Sequence, residues 1–161
     1  CSSDLLEEIR RKLSIKEREP GRIREDFLDF VLHGAMSASY KPVMLKGMLT
    51  LADEKGQVDL SALTRYFRAF YEKRAEQGLP IEADGAAINR VGDMSDFEVA
   101  RLMLTMPFEK FERKFFLKHR RDLNQVAFVP SLWRRLDSRE REKLLEICER
   151  QLVCYFSKRV K

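Results

Sequence analysis

The sequence predicts a mainly α fold with a small antiparallel β-hairpin. Three observations carry that reading. Apolar residues recur at helical spacing through most of the chain. Helix-start signatures of the S-x-x-E and D-x-x-E kind stand ahead of several of these runs. Late in the chain, two short extended runs flank a polar turn, the pattern of a hairpin.

Taken in order, Asp4 and Glu7 open a first helix carrying Leu5, Leu6, Ile9 and Leu13, which breaks at Pro20-Gly21. A second amphipathic helix spans 23–33, with Phe27, Phe30 and Val31 as its apolar side. The small, polar stretch 34–39 follows, so residues 1–38 read as a leading helical segment or linker. Ser39 is placed to cap the next helix, and Pro42 falls in its first turn, where a missing N–H costs nothing. Val43, Met44, Met48, Leu49, Leu51 and Ala52 supply its buried side, and Asp53-Glu54-Lys55-Gly56 ends it with a glycine C-cap. A short extended piece, 57–59, leads into a helix with Leu63, Tyr66, Phe67, Phe70 and Tyr71 at i, i+3, i+4, i+7 and i+8. That helix stops at Gly78-Leu79-Pro80, and 81–94 lack periodicity and read as a surface loop.

Ser95-Asp96-Phe97-Glu98 is a capping box, opening a helix with Val99, Leu102, Met103 and Met106 inside. Pro107 breaks it, and a short helix over 108–114 buries Phe108, Phe111 and Phe115. The hairpin joins 116–121 to 126–129 through the turn at 122–125. Asp137 and Glu140 then open a long terminal helix, described by Leu144, Leu145, Ile147, Cys148, Leu152 and Tyr155. The order helix, strand, helix, helix, strand, turn, strand, helix is that of a winged-helix-like domain, here 39–161, preceded by two helices. A helix-turn-helix joins its second and third helices tightly. The long connection 78–94 and the split at Pro107 depart from that pattern, so a major-groove recognition helix is not predicted.

Composition sets the bounds. Across 161 residues, 44% are apolar and 35% charged, with seven Gly and five Pro, which excludes collagen-like and low-complexity chains. No apolar run approaches the roughly 20 residues of a membrane helix. A chain that starts at Cys1 without a leader pattern reads as a piece of a longer polypeptide. Cys148 and Cys154 lie about 120° apart around one helix, which suits neither a disulfide nor a shared metal. With only two His residues besides, no metal or cofactor is expected, and a reducing cytoplasmic setting fits.

Charge is uneven. The net +5 comes from 95–161, which holds 16 basic and 10 acidic residues, and such a bias points to a polyanionic partner. Lys110, Arg113, Lys114, Lys118, His119, Arg120 and Arg121 fall within twelve positions that contain one acid, Glu112. Alternation along a strand puts Lys118 and Arg120 on one face, with Phe116, and His119 and Arg121 on the other. A hairpin tip of this kind lies along phosphates or enters a minor groove. Arg134 and Arg135, with Arg139 and Arg141, form a second cluster; cations at the start of the last helix oppose its dipole, which argues against a purely stabilising role. Trp133 and the Tyr66–Tyr71 aromatics read as core, and Lys41 as a surface lysine.

Catalytic patterns are missing. There is no G-x-x-x-x-G-K-[ST] and no G-x-S-x-G. The carboxylate-x-Lys triplets Asp53-Glu54-Lys55 and Glu112-Arg113-Lys114 lack a converging partner acid. A module without chemistry of its own is expected.

Several stretches carry a resemblance: Ser39-Tyr40-Lys41-Pro42-Val43-Met44-Leu45, Leu51-Ala52-Asp53-Glu54-Lys55-Gly56, Phe67-Arg68-Ala69-Phe70-Tyr71 with Arg74 and Gly78-Leu79-Pro80, Pro107-Phe108-Glu109-Lys110-Phe111, and Ser131-Leu132-Trp133. Over 39–156 the chain resembles an accessory region near the C-terminus of bacterial DEAD/DEAH-box helicase-like proteins. It is also similar to segments of restriction and phage-defence proteins. The resemblance implies a superfamily 2 ATPase motor elsewhere in the parent chain, acting on DNA or RNA, and carries no catalytic residue into this part. The function expected is nucleic-acid binding, DNA rather than RNA, through the basic wing. The alternative is a docking domain that joins the motor to a partner subunit through the long C-terminal helix and the leading helices.

Overall fold

The computed structural model describes residues 22–34 and 38–158. The expected first helix, its break at Pro20-Gly21, Cys1 and residues 35–37 of the 34–39 stretch lie outside the described residues. The helices are α1 (Arg22–His33), α2 (Tyr40–Leu51), α3 (Leu60–Glu76), α4 (Asp96–Met103), α5 (Glu109–Arg113), α6 (Pro130–Trp133) and α7 (Ser138–Ser157). Three strands, β1 (Gln57–Asp59), β2 (Leu117–Arg120) and β3 (Gln125–Phe128), form an antiparallel sheet in the order β1-β3-β2. Val58 and His119 flank Val126 from either side, so the extended piece 57–59 completes the sheet begun by the hairpin. The chain is mainly helical with a small hairpin sheet, in the predicted element order.

The core is aromatic. Phe27 meets Phe116 edge-on at 5.2 Å and Phe128 at 6.2 Å, and tilts against Phe111 at 6.2 Å. All four rings are at most 1% exposed. Truncating one of them to Ala removes contacts worth about 3–5 kcal/mol. Because Phe27 sits on α1 with Ile23 and Val31, also buried, the described part of the leading segment belongs to this core. Gln151 on α7 donates to the Val31 carbonyl at 2.8 Å, and Arg24 pairs with Glu140, tying α1 down further.

The local signals hold at most helix starts. Asp59 caps α3 through the Ala62 N–H, Ser95 and Glu98 form the reciprocal box of α4, and Asp137 caps α7 through the Glu140 N–H. Ser39 does not cap α2. Its backbone is already helical (φ −75°, ψ −4°), whereas a capping residue needs an extended conformation to aim its oxygen at the first turn. Gly56 is not a C-cap either; Ala52 holds that place, its N–H on the Met48 carbonyl, and Leu51, expected on the buried side, is exposed at this helix end. Gly56 has φ +78° under the Trp133 ring, where a Cβ would lie 2.7 Å from ring carbons.

Three further expectations are overturned. Residues 81–94 are not a plain surface loop: a 3₁₀ segment, Ala87–Asp93, buries Ile88 and Val91, and Arg68 grips the Val91 and Met94 carbonyls. Two apolar residues three apart are too short a run to show periodicity. Pro107 does not break the helix. The chain continues through a π turn, Leu104–Phe108, whose i→i+5 bonding accommodates a residue without an N–H. Met106 is therefore exposed. Phe115 is exposed too, in the left-handed region (φ 62°), at the turn that ends α5. Its N–H meets the Glu112 carbonyl at 2.9 Å and the Phe116 N–H meets Phe111 at 3.1 Å, the paired bonds of a Schellman cap. That reversal sends Phe116 into the core, away from the Lys118 face.

Candidate nucleic-acid interface

The hairpin is short, and its tip is anchored. Asn124 takes the left-handed conformation that closes the turn (φ 51°), its carbonyl accepts the Leu60 N–H at 3.0 Å, and its amide donates to Ser61 Oγ at 3.2 Å. The wing is thereby fixed to the start of α3. Along β2 the alternation is as expected: Leu117 and His119 share one face, Lys118 and Arg120 the other. Leu117 is buried, and the His119 ring sits 6.1 Å from Phe108, edge to face. Lys118, Arg120 and Arg121 form no salt bridge among the described residues.

The other basic residues singled out from sequence do not join this patch. Lys110 on α5 and Lys114 at its C-cap are one turn apart and about half a turn from Glu112, so they face away from the hairpin side. They gather instead with Lys41 around Phe30: Lys41 Nζ stands 4.8 Å and Lys114 Nζ 5.4 Å from the ring centroid. Burial, then the charges of Lys110 and Lys114, lower the Lys41 pKa. Lys41 is thus part of a cationic cluster and not an isolated surface lysine. Arg113 is neutralised by Glu109 at 3.2 Å. Arg135 donates to the Ser131 carbonyl at 2.8 Å, while Arg134 is exposed at the end of α6. Arg141 has the structural role that its position at a helix start argued against: its guanidinium stacks 4.6 Å from the Trp133 ring and donates to the Leu136 carbonyl. Trp133 is core, stacked on Phe128 at 5.1 Å with its indole N–H on the Glu54 carbonyl.

Beside the wing lies a groove of about 800 Å³ between the start of α3, the exposed side of α4 and the hairpin. Leu60, Leu104 and Phe108 contribute apolar wall, and Arg65, Arg101 and Arg121 bring cations from three different elements. Phe97 lines it while 75% exposed. The π turn forms part of one wall, through Leu104, Thr105 and Phe108. Sequence reading missed Arg65, Arg101 and Phe97 because each is solitary along the chain; only the folding of α3 and α4 against the hairpin assembles them.

The two carboxylate-x-Lys triplets lie in different settings. Asp53 spends its carboxylate on the Lys55 and Gln57 N–H groups, both at 2.9 Å. Glu112 lines the groove while Lys114 turns toward Phe30. No helix among the described residues is long and apolar enough to cross a membrane. No family model, curated protein or solved structure matches the chain.

Proposed function

We propose that this chain is a non-catalytic nucleic-acid-binding module, acting on DNA rather than RNA, that grips phosphates through its basic wing. The observation that carries the reading is the group Lys118, Arg120 and Arg121: three cations on an anchored hairpin with no carboxylate partner among the described residues. Arg113 and Lys46, by comparison, each pair with a carboxylate, Glu109 and Glu149. An anchored hairpin also spares the ordering entropy that a loose basic tail loses on binding. In the setting that the sequence resemblance implies, the module holds substrate for an ATP-driven motor in the same polypeptide. The docking alternative has less to stand on, since α7 spends Leu144, Cys148, Leu152 and Phe156 on the domain's own core and leaves Val153 as its large exposed apolar residue.

Contacts of this kind give affinity with little sequence reading. Log K for duplex DNA is expected to fall linearly with log salt, with a slope of about −3 for three phosphates. The double variant Arg120→Glu/Arg121→Glu is expected to weaken binding on the order of 100-fold at low salt. A mobility-shift titration checks both, and unchanged binding by the variant removes the wing from the interface.

A further inference from the structure

We propose that the groove beside the wing seats unpaired nucleotides, so that the module prefers single-stranded DNA to duplex. This rests on the wing being a phosphate contact and adds what occupies the concavity next to it.

Phe97 is the first argument. Six phenylalanines, Phe27, Phe67, Phe108, Phe111, Phe116 and Phe128, are at most 1% exposed, whereas Phe97 turns 75% of its surface to water in the groove wall. The α4 start does not need it: Ser95 and Glu98 complete the capping box by themselves. An aromatic face presented to solvent among cations is the arrangement on which a base stacks.

Shape is the second. The volume, about 800 Å³, is in the range that encloses a small molecule, and its walls include Leu60, Leu104 and Phe108. A duplex keeps its bases stacked inside and shows phosphates outside, so it has no flat apolar face to offer these walls. An unpaired strand has both parts: bases for the floor, and phosphates for Arg65, Arg101 and Arg121 around it. Of the two acids in the groove, Asp96 already faces Arg68 at 3.4 Å. Glu112 remains as an acceptor for a base amino group.

Continuity is the third. His119, Arg121 and Asn124 belong to both hairpin and groove, so a strand held at Arg121 runs directly between α3 and α4. An acidic protein helix satisfies the cations as well, but it has no use for this continuity with a phosphate-binding hairpin.

Fluorescence anisotropy on the full chain tests the proposal, with a labelled mixed-sequence DNA single strand and the blunt duplex of the same sequence. The single strand is expected to bind about 10-fold tighter, with Phe97→Ala bringing it down to the duplex level and Phe97→Tyr keeping the preference. Thermal melting of each variant reports that the fold is retained, which the exposure of Phe97 favours. Salt-dependent duplex binding with no preference for the single strand, or a preference that survives Phe97→Ala, overturns the groove proposal and leaves the wing reading standing. No binding of either DNA at low salt overturns both, and an acidic peptide bound in competition with nothing else then identifies the rival occupant.

Discussion

Two polar regions of this domain differ in how far their bonding is complete. Around Ser39, the chain closes its own accounts. Ser39 gives its N–H and its hydroxyl to Glu82 Oε2 at 2.9 and 2.6 Å, Tyr71 meets the Ser39 oxygen at 2.7 Å, and Tyr155 donates to Glu82 Oε1 at 2.6 Å. The cluster joins the start of α2 to α3, to the connection after it and to the end of α7. On the wing and in the groove, by contrast, Lys118, Arg120 and Arg121 form no salt bridge among the described residues and Phe97 faces water. Both regions are rich in groups capable of strong interactions. Polar groups that answer one another inside the chain hold the fold, and those left open on an anchored scaffold are what a ligand has to meet.

That contrast is open to direct tests. The largest expected effect is in the closed region. Ser39→Ala removes the hydroxyl that meets the buried Tyr71 oxygen and one of the donors to the half-buried Glu82 carboxylate, and is expected to lower stability by about 2 kcal/mol. DNA affinity should not change in parallel; urea unfolding and anisotropy on the same variant read the two quantities. A comparable loss of affinity would mean that the two regions are coupled.

Alkaline pH probes the same cluster without mutation. Burial, followed by the Glu82 carboxylate, pushes the Tyr40 hydroxyl up from 10.0 to about 12. A folded-state pKa above the unfolded one gives stability that is complete below the unfolded value and is lost as pH rises through the folded one. The Tyr40 contribution to stability is therefore expected to hold to about pH 10 and to be lost between there and about 12, on top of the decline from the buried Cys148 thiol, which is pushed from 9.0 to about 12. Tyr40→Phe should flatten that decline; an undiminished slope would place the titration elsewhere.

The smallest effect concerns the groove wall. Ser95→Ala removes one half of the α4 capping box and is expected to cost about 1 kcal/mol. Because α4 carries Phe97 and Arg101, loosening its first turn should also reduce any single-strand preference while sparing duplex binding. Denaturant midpoints and the paired anisotropy measurements separate the two consequences.

Much of the fold was legible in the chain. The Ser95-x-x-Glu98 and Asp137-x-x-Glu140 signatures marked real helix starts, and the hairpin appeared within a residue of its expected limits, because these signals act over a few neighbouring residues. The failures were also local in origin. Pro107 read as a break since sequence rules do not show that a π turn is available, and Ser39 read as a cap since its rival partners, Tyr71 and Glu82, lie 32 and 43 residues away. The candidate site was half legible. Charge density singled out Lys118, Arg120 and Arg121, which share the hairpin, together with Lys110 and Lys114, which helical geometry turns to another face, and Arg113, which pairs with Glu109.

By itself the amino-acid sequence determined the mainly α class, the order of the elements and the basic bias of the second half, all of which follow from periodicity, capping and composition over short spans. Only the tertiary structure decided which cations stand together, which are already satisfied, and that Arg65, Phe97, Arg101 and Arg121 share one groove. The physical reason is range: backbone preferences act between neighbours along the chain, whereas a binding surface is made by side chains that the packing of separate elements brings into register.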